Sequence, residues 1–203
     1  MRVVGGRWRG RRLIEPVGRD VTRPTQDRVR EACASMIEAA LEGGIAGARV
    51  LDAFGGTGAL GIEMLSRGAS HATFVDSDRQ AASLIRKNLA SLGADPAVWS
   101  VLSADAPALA ARGEVPGSPF DLVLADPPYL RGPDLTWDLL RALVNRSSLK
   151  PGAVVSFEHA FAPAAPPPPD FVTLREKRYG AVAVDLLRWT AGDAGLDDEV
   201  SYG

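Results

Sequence analysis

Residues Arg49 to Gly61 read R-V-L-D-A-F-G-G-T-G-A-L-G, and their reading decides the fold. A short apolar run ends in Asp52, passes through closely spaced glycines and enters a segment with helical character. A strand that feeds a glycine-rich turn and then a helix presents backbone N–H groups to a polar or anionic ligand.

From this turn outward the chain repeats strand, turn and helix. The pattern predicts strands at Val50 to Phe54, Ala72 to Val75, Val98 to Leu102, Phe120 to Ala125 and Val154 to Phe157. It predicts helices at Leu60 to Arg67, Arg79 to Leu92 and Leu135 to Val144. Alternation of this kind argues for a parallel sheet covered on both faces, and short apolar strands such as Leu122-Val123-Leu124 fit such a sheet. Pro163 to Pro169 holds five prolines in seven residues and reads as an extended connector. Phe171 to Tyr179 and Val182 to Trp189 follow as two strands turning at Gly180.

Upstream, Thr25 reads as a helix N-cap with Asp27 in the first turn. Val29, Cys33, Met36, Ile37, Ala40 and Leu41 then recur at helical spacing, which predicts a helix ending near Gly43-Gly44 with Cys33 as a buried thiol. Met1 to Val4 and Arg12 to Ile14 flank G-G-R-W-R-G-R and read as a β-hairpin with Trp8 at its tip. Residues 1–190 are expected to form one domain, with 1–24 a basic hairpin extension and 191–203 an acidic tail that frays.

Composition narrows the class. The chain has 203 residues, 46% of them apolar and 24% charged, which is ordinary for a globular protein. No apolar run reaches membrane-spanning length, no secretory leader is evident, and the single cysteine excludes a disulfide framework. A cytoplasmic setting is expected. The net charge of −2 hides an asymmetry: residues 1–30 hold nine Arg against Glu15, Asp20 and Asp27, a balance of +6 that leaves −8 for the remainder. A basic arm on an acidic body is a footprint for nucleic acid, or else a solvated arm without a partner. Arg7, Arg9, Arg11, Arg12 and Arg23 are the candidate phosphate contacts, and Trp8 either stacks on a base or packs on the domain.

Each of the first four strands runs into a carboxylate: Asp52, Asp76, Asp105 and Asp126. Ligands of open parallel sheets bind beyond the carboxyl ends of the strands, and four acids there are costly without polar partners. Gly56 to Gly61 also fits G-x-G-x-x-G with Asp76 at the distance of a ribose-binding acid, so a nicotinamide dinucleotide is a candidate. Asp52 before the loop and Asp126-Pro127-Pro128-Tyr129 after the fourth strand count against an oxidoreductase. A non-catalytic RNA-binding protein is a third reading, opposed by the intact Asp52, Asp76 and Asp126. His71 and His159 have no partners at metal-ligand spacing, so no metal is expected.

Asp52-Ala53-Phe54-Gly55-Gly56-Thr57-Gly58 resembles motif I of class I S-adenosylmethionine-dependent methyltransferases, and Asp126-Pro127-Pro128-Tyr129 resembles motif IV of those acting on exocyclic amines of bases. With Thr22 to Glu31 and Lys177-Arg178-Tyr179-Gly180, the chain resembles the bacterial RsmD family, whose members methylate a guanine N2 in small-subunit (16S) ribosomal RNA. The resemblance implies a Rossmann-like α/β fold: a mostly parallel seven-stranded sheet with helices on both faces, plus the N-terminal hairpin. It implies S-adenosylmethionine held by Asp52, Phe54, Gly56, Gly58, Asp76, Asp105 and Ala106. Asp52 would meet the amino group, Asp76 the ribose, and Asp105 with the Ala106 N–H the adenine. Asp126 and the Pro127 carbonyl would hold the target amine while Tyr129 stacks on the base. The implied partner is ribosomal RNA within a small-subunit particle, met by a monomer without membrane or metal. Asp-Pro-Pro-Tyr serves adenine N6 as well, so the motif alone leaves the base open. Ala53 and Gly55 depart from motif I by being small, which predicts a somewhat looser loop.

Overall fold

The computed structural model describes residues 1–16, 24–128, 132–160 and 166–190. Among the described residues there are seven strands: β1 (Arg49–Asp52), β2 (His71–Asp76), β3 (Trp99–Ser103), β4 (Phe120–Ala125), β5 (Leu149–Ala160), β6 (Phe171–Tyr179) and β7 (Val182–Trp189). They form one sheet in the order β3-β2-β1-β4-β5-β7-β6. The first five run parallel, and β7 is antiparallel to both β5 and β6. The strand order reverses between β1 and β4, the position where open α/β sheets leave a crevice for ligands.

The helices are α1 (Pro24–Ala40), α2 (Ala59–Ser66), α3 (Arg79–Ser91), α4 (Ala106–Arg112) and α5 (Gly132–Asn145). Side chains alternate across each strand, so the sheet feeds two cores. Val50, Leu122, Val154 and Leu186 pack with α1, α2 and α3 on one face. Leu51, Val123, Val155 and Leu187 pack with α4 and α5 on the other. Among the described residues no helix is long and apolar enough to cross a membrane.

Several boundaries differ from expectation, each for a local reason. Helix α1 begins at Pro24 rather than after Thr25; proline has no N–H to leave orphaned and suits the first turn. Helix α4 was absent from the sequence pattern because seven residues, A-P-A-L-A-A-R, carry little amphipathic signal. Its ends make it: Asp105 accepts from the Ala108 N–H at 2.9 Å, and Gly113 closes it at φ 71°. Strand β5 starts five residues early and runs through Pro151 and Gly152, with a register shift against β4 absorbing the irregularity. The connector is described from Pro166 onward, and the tail from Ala191 lies outside the described residues.

The N-terminal reversal is present but is not a two-stranded ribbon. One antiparallel bridge joins Arg2 to Arg12, and Gly6–Trp8 form a 3₁₀ turn between them. Trp8 is only 8% exposed and belongs to the α1–α3 core, so of its two readings packing on the domain holds and base stacking at the tip does not. Its amide donates to Ser66 Oγ at 3.0 Å, and Ser66 Oγ donates to the Gly5 carbonyl at 2.6 Å. Val4 donates to the fully buried Glu63 at 2.9 Å. The arm is thus fastened to α2.

Candidate functional site

Pairing of Asp52 with Leu124 brings the glycine loop after β1 beside the turn after β4. The Ala53 amide extends the contact, donating to the Leu124 carbonyl at 3.0 Å. Asp52, Asp76 and Asp126 therefore meet at one end of the sheet.

The loop itself is built by its glycines. Gly56 and Gly58 take φ of 53° and 75°, the left-handed region that other residues enter at a cost. Gly58 caps α2, and its carbonyl accepts from the Ile62 amide at 2.8 Å. Gly55 lies under Ile85: an added Cβ would stand 2.7 Å from the Ile85 Cδ1. A methyl group there would have to displace the flexible end of the Ile85 side chain. Ala53 is fully buried, and Phe54 packs partly buried on the α4–α5 side.

Asp76 fastens the loop to β2. Its Oδ2 accepts from the Gly56 N–H and its Oδ1 from the Asp78 N–H, both at 2.8 Å. A carboxylate has about four lone-pair sites, so acceptance of further donors remains open. Asp52 is buried, and its Oδ2 accepts from the Gly61 N–H at 3.2 Å. Burial, assisted by the nearby charges of Asp126 and Asp76, pushes its carboxyl up to about 8 against the opposing pull of that hydrogen bond. Asp105 caps α4 at the end of β3, with Ala106 buried as the first helical residue.

Asp126 follows β4 at the rim of the crevice. Its outer side is open to solvent, while the chain packed around it desolvates the carboxyl and raises its proton affinity. Pro127 is buried and Pro128 exposed. Tyr129 and Arg23 lie outside the described residues.

Two residues of the site escaped the sequence pattern. Asn88 sits fully buried on the apolar face of α3. Its Oδ1 accepts from the Ile14 N–H at 2.7 Å, and its Nδ2 donates to the carbonyls of Ile14 and Thr57 at 3.2 and 3.1 Å. One side chain thereby joins the basic arm to the glycine loop; an amide between Ile85 and Leu89 was the available signal. The second is Glu158, near the end of β5, whose proton affinity burial and Asp126 both raise. It was hidden because β5 was expected to stop at Phe157.

The arginines divide. Arg2 pairs with Asp27 at 3.0 Å, Arg11 donates to the Ser91 carbonyl at 2.7 Å, and Arg7 lies 4.1 Å from the Trp8 ring centroid. The side chains of Arg9 and Arg12 are exposed and have no hydrogen-bond or ion-pair partner among the described residues. Cys33 is buried as expected, with its thiol pushed up to about 12 by burial. His159 lies within β5, stacks on Phe157 at 4.7 Å and meets Asp185 at 3.0 Å.

A glycine loop and an Asp-Pro-Pro turn joined at the switch point of this sheet define a Rossmann-like class I methyltransferase. The family model described as "Conserved hypothetical protein 95" matches residues 1–188, and the chain belongs to that family, the RsmD family. Ribosomal RNA small subunit methyltransferase D of Escherichia coli K12 is 36% identical over 97% of this chain and 94% of its own. The protein of the same name from Haemophilus influenzae is 31% identical over 93% of each. The solved structure of yhhF from Escherichia coli superposes with a TM-score of 0.79 at 35% identity, covering 94% of this chain and 98% of that one. The oxidoreductase reading is set aside by these matches.

Proposed function

We propose that this protein methylates the N2 amine of a guanine in small-subunit ribosomal RNA, in the cytoplasm, with S-adenosylmethionine as methyl donor. The observation that carries the reading is the junction of β1 and β4, which sets the glycine loop beside Asp126 and Pro127.

The residues fit the cofactor. Gly56 and Gly58 lack the Cβ atoms that would keep a ligand from the loop backbone. Asp76 retains acceptor capacity for two ribose hydroxyls. Asp52 supplies a carboxyl for the amino group, and ionises when that cation arrives. Asp105 and the Ala106 N–H stand at the end of β3 for the adenine. When bound, the cofactor supplies an electrophilic methyl group.

The chain's task is then to present the amine. A guanine N2 lone pair is delocalised into the ring, so the amine must be held as it pyramidalises. Asp126 and the Pro127 carbonyl accept its two hydrogens, and the two prolines restrict the backbone that aims that carbonyl. Tyr129 stacks on the base, which must leave any helical stack to enter. Positioning and acceptor placement account for most of the rate. Arg9 and Arg12, with Arg7, Arg11 and Arg23, give the RNA backbone its footing on the arm.

The test is nucleoside mass mapping of small-subunit RNA, free and in assembled particles, treated with the enzyme and labelled cofactor. N2-methylguanosine is expected; label on adenine N6 overturns the assignment.

A further inference from the structure

The β4–β5 register pairs Ala125 with Phe157. One residue further along come Asp126, just past β4, and Glu158, near enough at the ligand end of the sheet for the Asp126 charge to act on Glu158. Phe157 turns into the α5-side core against Trp137, so alternation places Glu158 on the opposite face, toward α1. There its charge acts on Cys33 of α1.

Glu158 is half-buried, and its carboxylate has no hydrogen-bond or ion-pair partner among the described residues. The cations nearest in register are engaged elsewhere. His159 is held by Asp185 at 3.0 Å. Lys177, in register with Glu158 across Val184, lies 5.4 Å from the Tyr179 ring centroid. A half-buried carboxylate without a donor is costly. Burial and Asp126 accordingly hold its carboxyl above the usual range. A ligand that brings a donor relieves this cost.

We propose that Glu158 is a specificity-determining residue, its carboxylate accepting the N1–H of the target guanine while Asp126 and Pro127 hold the N2 amine. This rests on the guanine N2 reading above and adds the base identity that the Asp-Pro-Pro turn lacks. Guanine carries N1–H and the N2 amine as adjacent donors on its Watson–Crick edge. Adenine carries an acceptor at N1 beside its N6 amine, so its lone pair would face the Glu158 carboxylate. Sites built to hydrogen-bond a substrate group reject analogues lacking it far more strongly than apolar pockets reject a missing methylene.

The test uses the RNA segment that carries the methylated position, with guanine or 2-aminopurine at that position. 2-Aminopurine keeps the 2-amino group but has a lone pair at N1. Wild-type enzyme should methylate guanine on the order of tenfold or more faster in kcat/KM. In Glu158→Gln the amide can donate to the N1 lone pair, so the preference should shrink by about tenfold or invert, with S-adenosylmethionine affinity unchanged. The missing O6 of 2-aminopurine affects both enzymes and cancels in that comparison. Equal methylation of the two bases by wild type overturns the inference without any need for the variant to fold. An unchanged preference in Glu158→Gln overturns it as well. If wild type produces no N2-methylguanosine at all, the guanine reading itself fails and the role of Glu158 falls with it.

Discussion

The Gly56 amide donates to Asp76 Oδ2 at 2.8 Å, across twenty residues of chain. One carboxylate thus closes the glycine loop onto the second strand. A fault at Asp76 should reach the ligand twice, through the lost acceptor and through the released loop.

Asp76→Ala should therefore weaken S-adenosylmethionine at least tenfold, since hydrogen bonds to a charged group contribute about 1.5–3 kcal/mol each. Titration calorimetry measures it; unchanged affinity would remove Asp76 from the ribose site.

Asp126→Ala should separate binding from turnover. Its carboxylate lies beyond the glycine loop, so cofactor affinity should hold. Loss of one preorganised acceptor should slow methyl transfer roughly a hundredfold or more. Single-turnover rates with labelled cofactor decide it, and a wild-type rate would sink the assignment.

Asp52 makes the empty protein sensitive to base. An unfolded Asp ionises near pH ~3.9, whereas the folded Asp52 carboxyl is raised to about 8. Between those values the folded chain holds a proton that the unfolded chain has released. The stability from this group is full below the lower value and is lost as pH rises through the upper one. Asp126 and Glu158, both raised, act in the same direction. Thermal melts from about pH 5 to about pH 8 should fall with pH, and Asp52→Asn should flatten the decline. Parallel slopes for the two proteins would contradict this account.

Asn88→Ala should loosen the arm and the loop together. The substitution strands the Ile14 N–H and the carbonyls of Ile14 and Thr57. These bonds are part-buried, so each group left unpaired costs about 1 kcal/mol, the low end of the range for buried groups. Urea unfolding should show the loss, and limited proteolysis should cut the arm first.

The arm offers a contrast between neighbours. Arg9→Ala with Arg12→Ala should flatten the slope of log RNA affinity against log salt by about 1.4, at about 0.7 per phosphate contact on a single strand. Trp8→Ala should act on folding instead, by roughly 3–5 kcal/mol, because the ring is buried. RNA binding across a salt series, beside thermal melts, distinguishes the two; identical salt slopes would leave the arginines without phosphates.

Periodicity and turn chemistry made most of the architecture legible before any coordinates. Phe120–Ala125, Phe171–Tyr179 and Val182–Trp189 follow their predicted bounds, because β-branched and aromatic runs bounded by Gly, Pro and Asp are local signals. The glycine loop and Asp126-Pro127-Pro128 were equally plain, since their chemistry depends on residues close in sequence. What only the tertiary structure decided depends on contacts between distant segments. Trp8 looked exposed between arginines and is buried because Ser66 and Glu63 fasten the arm to α2. Gly55 gives no sign in the sequence of the Ile85 side chain that packs over it. Asn88 and Glu158 carry no local motif: one acquires meaning from Ile14 and Thr57, the other from Asp126. Strand register and helix packing create those neighbours, and no window of sequence contains both partners.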